Sequence, residues 1–279
     1  MKINIIKIFV IIQMQQFLLI DGSYYIFYRY HALLQWWKNA KPDEPLGNPI
    51  ENTEFMERFK TVFIKKIPEI IKKLKLEKPV IITAMDCKRK DIWRSAIFDK
   101  YKHGRECDSH IGEIFKLVNN EELFKKAGVD MVLLHPKLEA DDCIALTIQN
   151  IKRVVDDYNI HIVTSDMDYL QLADDNVKPI NLKYKYLQDS KQSFKDSKKD
   201  LFCKIVMGDK SDAIPSVFPK CGIKTAEKHY NNQEQFLEKV NKDSDAKQRY
   251  ELNTTLIDFN KIPTELVLEF NTGNYSIKY

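Results

Sequence analysis

Two short stretches of the chain concentrate acidic residues that could bind a cation. The first is Glu139-Ala140-Asp141-Asp142, and the second, about two dozen residues later, is Ser165-Asp166-Met167-Asp168. Carboxylates this close together repel one another, and burial strengthens the repulsion. Such clusters usually need a cation, solvent or a basic partner, so further ligands and counter-charge are expected elsewhere in the chain.

Four apolar segments have the composition of buried strands. They cover residues 17–20, 79–85, 129–134 and 160–164. Strands that alternate with helices predict a parallel sheet in a three-layer α/β fold, and functional sites lie where the carboxyl ends of such strands meet. Acids from four segments are expected at that edge: Asp21, Asp86, the Glu139 cluster, and Asp166 with Asp168.

These acids predict a metal site. A helix dipole alone favours acids in a first turn, but it explains one or two acids better than the three in the Glu139 cluster. All the predicted ligands are carboxylate oxygens, which suit the hard cations Mg²⁺ or Mn²⁺. So many carboxylates indicate two ions, and such a pair can activate a water and stabilise the leaving oxygen of a phosphodiester.

Residues 88–105 supply candidate counter-charge and a candidate phosphate-binding surface. Aromatic residues separate the basic ones, which is the pattern that binding to nucleic acid needs. On a helix Lys102 and Arg105 would share a face, and an ordinary charged surface helix is the alternative interpretation. The basic residues are Lys88, Arg89, Lys90, Arg94, Lys100, Lys102 and Arg105, and the aromatic ones are Trp93, Phe98 and Tyr101.

Residues 24–37 are rich in aromatic side chains. We expect a helix that packs its aromatic face on the sheet, because aromatic residues are mostly buried. The functional alternative is a stacking surface for nucleobases.

The second half of the chain contains a candidate contact with the DNA backbone. After a polar, Lys-rich segment at 184–200, residues 208–217 form a turn that contains Asp209 and Asp212. A helix then starts near Gly222, whose small size lets backbone N–H groups approach a phosphate, with Lys220 and Lys224 close by. A plain αα-hairpin is the alternative.

Composition bounds the class of protein. With 279 residues, 44% hydrophobic, 30% charged and a formal net charge of +4, the chain has the balance of a soluble globular protein of one or two domains. Five scattered cysteines without a CxxC pair argue against structural zinc and disulfides. Within residues 1–16, the segment 2–12 is apolar apart from Lys7 and is too short to span a bilayer. We interpret residues 1–16 as an N-terminal extension, with a signal peptide as the alternative and with translation starting at Met1 or Met14. An intracellular protein with no membrane partner is expected.

The motifs, in this order, resemble the flap endonuclease and 5′-3′ exonuclease family, and the resemblance covers nearly the whole chain from residue 17. Residues 249–263 look most like the phage ribonuclease H and viral branch of that family. The motifs are LLIDGS with Asp21, the strand end at Asp86, Tyr101-Lys102-x-x-Arg105, EADD at 139–142, SDMD at 165–168, and GDKSDAIPSV at 208–217.

The resemblance implies a fold: an α/β, three-layer PIN-like domain over residues 17–190, with a central, mostly parallel sheet and a helical arch at roughly 87–127. A smaller helical region of helix-hairpin-helix type would follow at 191–279. In the common hairpin turn, asparagine stands where this chain has Ala213, and glycines stand where it has Ser216 and Lys220.

The resemblance also implies residue roles. Lys102 and Arg105 would hold the scissile phosphate as catalytic residues, and Tyr101 would stack on a terminal base. Arg94 and the hairpin residues Lys220, Gly222 and Lys224 complete the expected substrate contacts. One metal position would involve Asp21, Asp86, Glu139, Asp141 and Asp142, and the other Asp166, Asp168, Asp209 and Asp212.

The function expected from these features is a two-metal, structure-specific 5′ nuclease. It would act as a monomer on DNA with a 5′ flap, a nick or a primer hybrid, during replication and repair. A sliding clamp or a single-strand-binding protein would assist it. Two alternatives stay open: a PIN-type endoribonuclease acting on single-stranded RNA, and a catalytically silent protein that binds DNA junctions.

Overall fold

A computed structural model describes residues 14–104, 110–273 and 275–278. At its centre is a six-stranded sheet with the order β5-β4-β1-β2-β3-β6. The first five strands are parallel and β6 runs antiparallel to β3, so the predicted, mostly parallel sheet is confirmed. The strands are β1 (Gln15–Asp21), β2 (Val80–Met85), β3 (Met131–Leu134), β4 (Tyr158–Val163), β5 (Val177–Ile180) and β6 (Ser276–Lys278).

The middle strand β1 shows why these segments form a parallel sheet. Leu18, Leu19 and Ile20 are fully buried, although neighbouring side chains of a strand point to opposite faces of the sheet. Helices must therefore cover both faces, which is the usual environment of a continuous apolar run in a parallel sheet.

One face is covered by helices that follow the predicted apolar periodicity. Tyr25, Tyr30 and Trp37 of α1 are buried, as predicted for the aromatic helix, whereas Phe27 of the same helix is 51% exposed. The helices on this face are α1 (Gly22–Ala40), α2 (Thr53–Leu74), and two that follow the short α3 (Trp93–Ile97), namely α4 (Ile111–Asn120) and α5 (Leu123–Lys126).

The other face is covered by α6 (Ala140–Val154), which begins as predicted at the Glu139 cluster, and by the C-terminal helix α11 (Thr264–Thr272). Sheet and helices together form the three layers that the sequence predicts. Within the described ranges, no helix is both long enough and apolar enough to cross a lipid bilayer.

Four helices between β5 and α11 surround a smaller apolar core, which includes Val206, Val217 and Phe236. Ile205, Ile214 and Leu256 of this region also pack against the segment that follows β2. We call residues 197–257 the helical region. Its helices are α7 (Ser197–Met207), α8 (Ile223–Asn231), α9 (Gln233–Lys242) and α10 (Ser244–Ile257).

The end of the chain does not belong to the helical region. Phe259, Ile262 and Leu266 are buried in the core beneath α6, and β6 pairs with β3. The sequence interpretation placed these residues in the C-terminal helical region. They return to the sheet because their apolar side chains cover the second face next to α6.

Candidate active site

Five of the nine predicted acids meet in a cleft of ≈ 710 Å³ above the carboxyl ends of the strands. Gly22 makes this arrangement possible, because a Cβ there would lie 2.4 Å from the sulfur of Met85 and 2.8 Å from the carbonyl oxygen of Ala84. The start of α1 can thus approach β2 closely. The residues of the predicted set that line the cleft are Asp21, Asp86, Lys102, Glu139, Asp141 and Asp166.

Asp21 is held at the centre of the cleft by its neighbours in the fold. As the N-cap of α1 it accepts a hydrogen bond from Tyr24 N at 3.0 Å, and it accepts another from the Tyr169 hydroxyl at 3.2 Å. Burial, together with the charges of Asp86 and Asp166, raises the pKa of Asp21 to about 7. Burial is the largest cause of this rise, and repulsion by the neighbouring carboxylates adds to it.

Asp86 and Asp166 are held by backbone amides. Asp86 Oδ1 accepts from Ala140 N at 2.8 Å, which connects the end of β2 to the start of α6. Asp166 caps the short 3₁₀ helix Met167–Leu172 and accepts from Asp168 N at 3.0 Å. Both donors are neutral backbone amides, and both carboxylates line the cleft.

The Glu139 cluster stands at the first turn of α6. Glu139, Asp141 and Asp142 offer oxygens that all lie within 4.8 Å of one another. Burial, then Asp142 and Glu139, raise the pKa of Asp141 well above its usual value despite Arg94. Burial also acts to raise the pKa of Glu139, but Lys102 and Arg94 outweigh it and hold that pKa below its usual value.

The structure corrects the expectation that Arg94 contacts substrate. Arg94 is only 2% exposed and makes two hydrogen bonds to Asp142, at 2.7 and 2.8 Å. It also donates to Glu139 Oε2 at 2.9 Å and to the carbonyl oxygen of Leu256 at 2.7 Å. A charge this deeply buried needs such partners, so Arg94 belongs to the support beneath the cleft.

Asp142 lies in the same buried layer. It is fully buried, and Trp93 Nε1 donates to its Oδ2 at 2.8 Å in addition to the bonds from Arg94. Its backbone N–H donates to Asp141 Oδ1 at 2.8 Å. Of the three acids in the cluster, Asp142 is therefore the one most fully engaged by protein donors.

The predicted helical placement of Lys102 is wrong, although Lys102 does reach the cleft. Residues 101–104 form turns, and Lys102 has a φ of 56°. Its N–H donates to the carbonyl oxygen of Asp212 at 3.0 Å, and its ammonium group contacts Glu139 Oε1. Burial acts to lower the pKa of Lys102, but Glu139, Asp212 and Asp141 outweigh it and raise that pKa above its usual value.

Two neighbours of Lys102 were also predicted as site residues. Tyr101 is only 7% exposed and donates its hydroxyl hydrogen to Glu139 Oε2 at 2.9 Å. Its ring is packed in the interior, which corrects the expectation that it stacks on a terminal base. Arg105 lies outside the described residues.

The second predicted ligand set lies between the sheet and the helical region. Asp168 comes from the 3₁₀ helix after β4, and Asp209 from the turn after α7, where Gly208 has a φ of 68°. Asp212 in the same turn is 8% exposed. Lys204 lies between the first two, with its Nζ 2.6 Å from an oxygen of each, and it was not among the predicted residues.

The hairpin residues lie at the start of α8, outside the lining of the cleft. Gly222 is the N-cap of α8, exposed, with open space where a Cβ would be. Lys220 and Lys224 are exposed beside it, and Lys220 adopts a φ of 57°. This geometry leaves the first N–H groups of α8 accessible to an anion.

The residues in the cleft fit a divalent cation. The donor set consists of carboxylate oxygens, and the pKa values of Asp21 and Asp168 are raised to about 7 by burial and neighbouring acids. The pKa of Asp141 is raised further. Carboxylates that destabilise one another in this way are stabilised when a cation binds between them.

Two solved structures resemble this chain over nearly all of its length. One is the T5 D15 protein co-crystallised with metal ions, with a TM-score of 0.62, 14% identity, and coverage of 92% of this chain and 97% of that chain. The other is the bacteriophage T5 D15 flap endonuclease in a pseudo-enzyme–product complex with DNA and metal ions, with a TM-score of 0.58 and 15% identity. This second likeness covers 94% of this chain and 95% of the T5 chain. These likenesses confirm the predicted PIN-like fold.

Among curated proteins none matches this sequence. The family model of the 5′-3′ exonuclease N-terminal resolvase-like domain does match, over residues 16–207. That range contains β2 to β5, all of β1 except its first residue, and both acidic stretches, 139–142 and 165–168. The chain therefore belongs to the 5′-3′ exonuclease and flap endonuclease family and is a nuclease that hydrolyses phosphodiester bonds.

Proposed function

We propose that this protein is a structure-specific 5′ nuclease that uses two divalent cations, Mg²⁺ by preference, to cut DNA or RNA–DNA hybrids near 5′ ends. The observation that carries the proposal is the convergence of acids from separate strand ends on one cleft that Lys102 also lines. Membership of the 5′-3′ exonuclease family supports the polarity of the reaction.

The acids divide into two cation positions. We assign Asp21, Asp86, Glu139 and Asp141 to the first, with Asp142 acting from below through its contacts to Arg94 and the Asp141 oxygen. We assign Asp166, Asp168, Asp209 and Asp212 to the second. When bound, such ions supply an activated water and charge stabilisation for a phosphodiester.

The basic residues have the complementary role. Lys102 is positioned at the rim by the Asp212 carbonyl and by Glu139, so its ammonium can orient the scissile phosphate. Arg105 is proposed to act beside it. The exposed ring of Phe27 and the partly buried ring of Tyr24 line the same cleft and offer a stacking surface for a nucleobase.

The duplex would be bound at the start of α8. There Gly222 leaves backbone N–H groups accessible, and Lys220 and Lys224 add positive charge without sequence preference. A relative of similar fold was solved in a complex with DNA and metal ions, which supports DNA as the substrate.

Product mapping tests the proposal. Purified protein with Mg²⁺ is incubated with a 5′-labelled flap duplex, a nicked duplex, a primer hybrid and a single-stranded RNA of equal length. We expect cleavage near the 5′ ends of the first three and loss of cleavage in Asp166→Asn. Activity on the single-stranded RNA alone would favour the endoribonuclease. Tight metal-independent junction binding without turnover would favour the silent binder.

The biological role follows from this substrate class. Removal of primers and flaps during replication and repair requires cutting at such 5′ ends. We propose that the protein acts as a monomer at sites of DNA synthesis, with a sliding clamp or a single-strand-binding protein as partner. Cleavage of a flap on a primed template, measured with and without these partners, tests this role.

A further inference from the structure

Lys204 forms an ion-pair bridge across the second group of acids. Its Nζ lies 2.6 Å from Asp168 Oδ1 and 2.6 Å from Asp209 Oδ2. The side chain of Lys204 is 22% exposed and those of both acids are 16% exposed. Contacts this short and this sheltered from water are stronger than ordinary surface ion pairs.

The three residues come from different elements, and local bonds fix Asp209. Asp209 Oδ1 accepts from the N–H of Ser211 at 2.7 Å and from its hydroxyl at 2.6 Å, which turns Oδ2 towards Lys204. Lys204 itself belongs to the last turn of α7. The ammonium is thus held where the acids of the sheet and of the helical region approach each other.

Three acids of the first group, Asp21, Asp86 and Asp141, are held by neutral donors, whereas Glu139 of that group pairs with Lys102 and Arg94. Asp21 accepts from Tyr24 N and the Tyr169 hydroxyl, Asp86 accepts from Ala140 N, and Asp141 accepts from a backbone N–H. These donors carry no net charge. They orient the carboxylates without neutralising them.

We propose that Lys204 is a built-in counter-ion that competes with the second divalent cation for Asp168 and Asp209. This inference rests on the proposed function, because it assigns those acids to a cation. An ammonium and a divalent cation attract the same two oxygens and repel each other at contact distance. Binding at the second position therefore requires the ammonium of Lys204 to move away, which weakens cation binding there compared with the same site without that charge.

Charge removal and charge retention at position 204 test the competition. We compare the wild type with Lys204→Met, Lys204→Gln and Lys204→Arg by isothermal titration calorimetry with Mg²⁺, without DNA, at pH 8.5. Asp168, whose pKa is raised to about 7, is then mostly ionised in the wild type. Lys198→Met, at an exposed position in the first turn of α7, is the matched control.

We expect the weaker of two Mg²⁺ sites to bind about fivefold to tenfold more tightly in Lys204→Met and Lys204→Gln, which is the size of a partly sheltered contact between charges. Lys204→Arg should bind no more tightly than the wild type, and Lys198→Met should match it. Unchanged or weaker binding in both neutral variants would overturn the inference and leave Lys204 as a structural bridge between α7 and the 3₁₀ helix.

Two further measurements keep this outcome separate from the proposed function. If the wild type binds no Mg²⁺ and cuts no flap substrate, the proposed function fails and the competition fails with it. If it binds two ions that Asp141→Asn and Asp209→Asn each reduce to one, the proposed sites stand whatever the position 204 variants do. Circular dichroism of each variant confirms that it is folded before the titration.

Discussion

The two sides of the acidic cleft are built by different parts of the fold. On one side, Asp21 and Asp86 stand at the ends of β1 and β2, and the Glu139 cluster stands at the first turn of α6. On the other side, Asp168 faces Asp209, which comes from the helical region. The first side is fixed by sheet topology, whereas the second depends on how the helical region packs against the sheet.

The counter-charge differs in the same way. Below the first side, Arg94 is almost fully buried between Glu139 and Asp142, so its ion pairs cannot be replaced by water. At the second side, Lys204 keeps some exposure to the cleft. The buried bridge of Arg94 supports the fold, whereas the partly exposed bridge of Lys204 is the one that we propose to exchange with a cation.

Removing the buried charge should have the largest effect. Arg94→Met removes a buried cationic partner of both Asp142 and Glu139 and frees the carbonyl oxygen of Leu256. We expect the free energy of unfolding, measured in urea, to fall by about 3–5 kcal/mol. Lys90→Met, at an exposed position in the same segment, is the control. A loss below about 1 kcal/mol would show that the first side does not need its buried support.

Neutralising one acid on each side should change stability in opposite directions. The pKa of Asp141 is raised, so Asp141→Asn should stabilise the metal-free protein at pH 8. Burial acts to raise the pKa of Asp209, but Lys204 and Ser211 outweigh it and lower that pKa, so Asp209→Asn should destabilise. We expect changes of about 1 kcal/mol each in urea unfolding.

Both variants should lose nuclease activity by about a hundredfold or more, because each removes a proposed cation ligand. Activity is measured on the 5′ flap duplex with Mg²⁺. Equal signs of the two stability changes would contradict the contrast between the two sides, and unchanged activity in either variant would remove that acid from the proposed site.

The contribution of Asp21 to stability should depend on pH, which gives a further test of the difference between the two sides. Its pKa is raised from 3.8 to about 7 in the folded protein, so the folded state holds a proton that the unfolded state has lost. Stability therefore falls as the pH rises from about 4 to about 7, and the cost remains above that range. Asp21→Asn, whose amide oxygen can still accept from Tyr24 N, should remove this cost.

We expect the stability advantage of Asp21→Asn over the wild type to grow as the pH rises from about 4 to about 7, and to reach about 1–3 kcal/mol at pH 8 without metal. Taking the difference between the two proteins at each pH cancels His135, His161 and His229, whose lowered pKa values act in the opposite direction. Saturating Mg²⁺ should reduce or reverse the advantage, because a bound cation stabilises the ionised wild-type carboxylate. A difference that does not vary with pH would contradict the raised pKa.

The sequence predicts the first side of the cleft better than the second. Asp21, Asp86, the Glu139 cluster, and Asp166 with Asp168 were predicted from one rule, that the carboxyl ends of parallel strands meet at one edge. The rule needs only the order of the elements, and the five parallel strands obey it. Family resemblance was needed to add Asp209 and Asp212, because no local pattern shows that their turn faces the sheet.

Buried charges and distant contacts could not be predicted. Arg94 was interpreted as part of a basic surface because it lies among other basic residues. Its contact with Leu256 spans 162 positions in sequence, so no local pattern could reveal it. Its neighbour Trp93 was the available signal, since a bulky aromatic residue next to an arginine can indicate a buried pair. Lys204 looked like one of many lysines, and the three-residue strand β6 is too short to show an alternating pattern.

The smallest effect is expected away from the acids, at the start of α8. Lys224 is exposed and can contact a phosphate only through its charge, so Lys224→Gln should weaken DNA binding about twofold to fivefold and reduce the salt slope by about 1. Fluorescence anisotropy of a labelled flap duplex in EDTA, over a range of salt concentrations, measures both quantities. Lys65→Gln, at an exposed position of α2, removes the same charge and should change neither. If the two variants weaken binding equally, net charge alone attracts the duplex. If only Lys224→Gln weakens binding, the helical region both binds the duplex and supplies Asp209 to the second group of acids. The position of the bound duplex could then influence how the second group of acids is arranged.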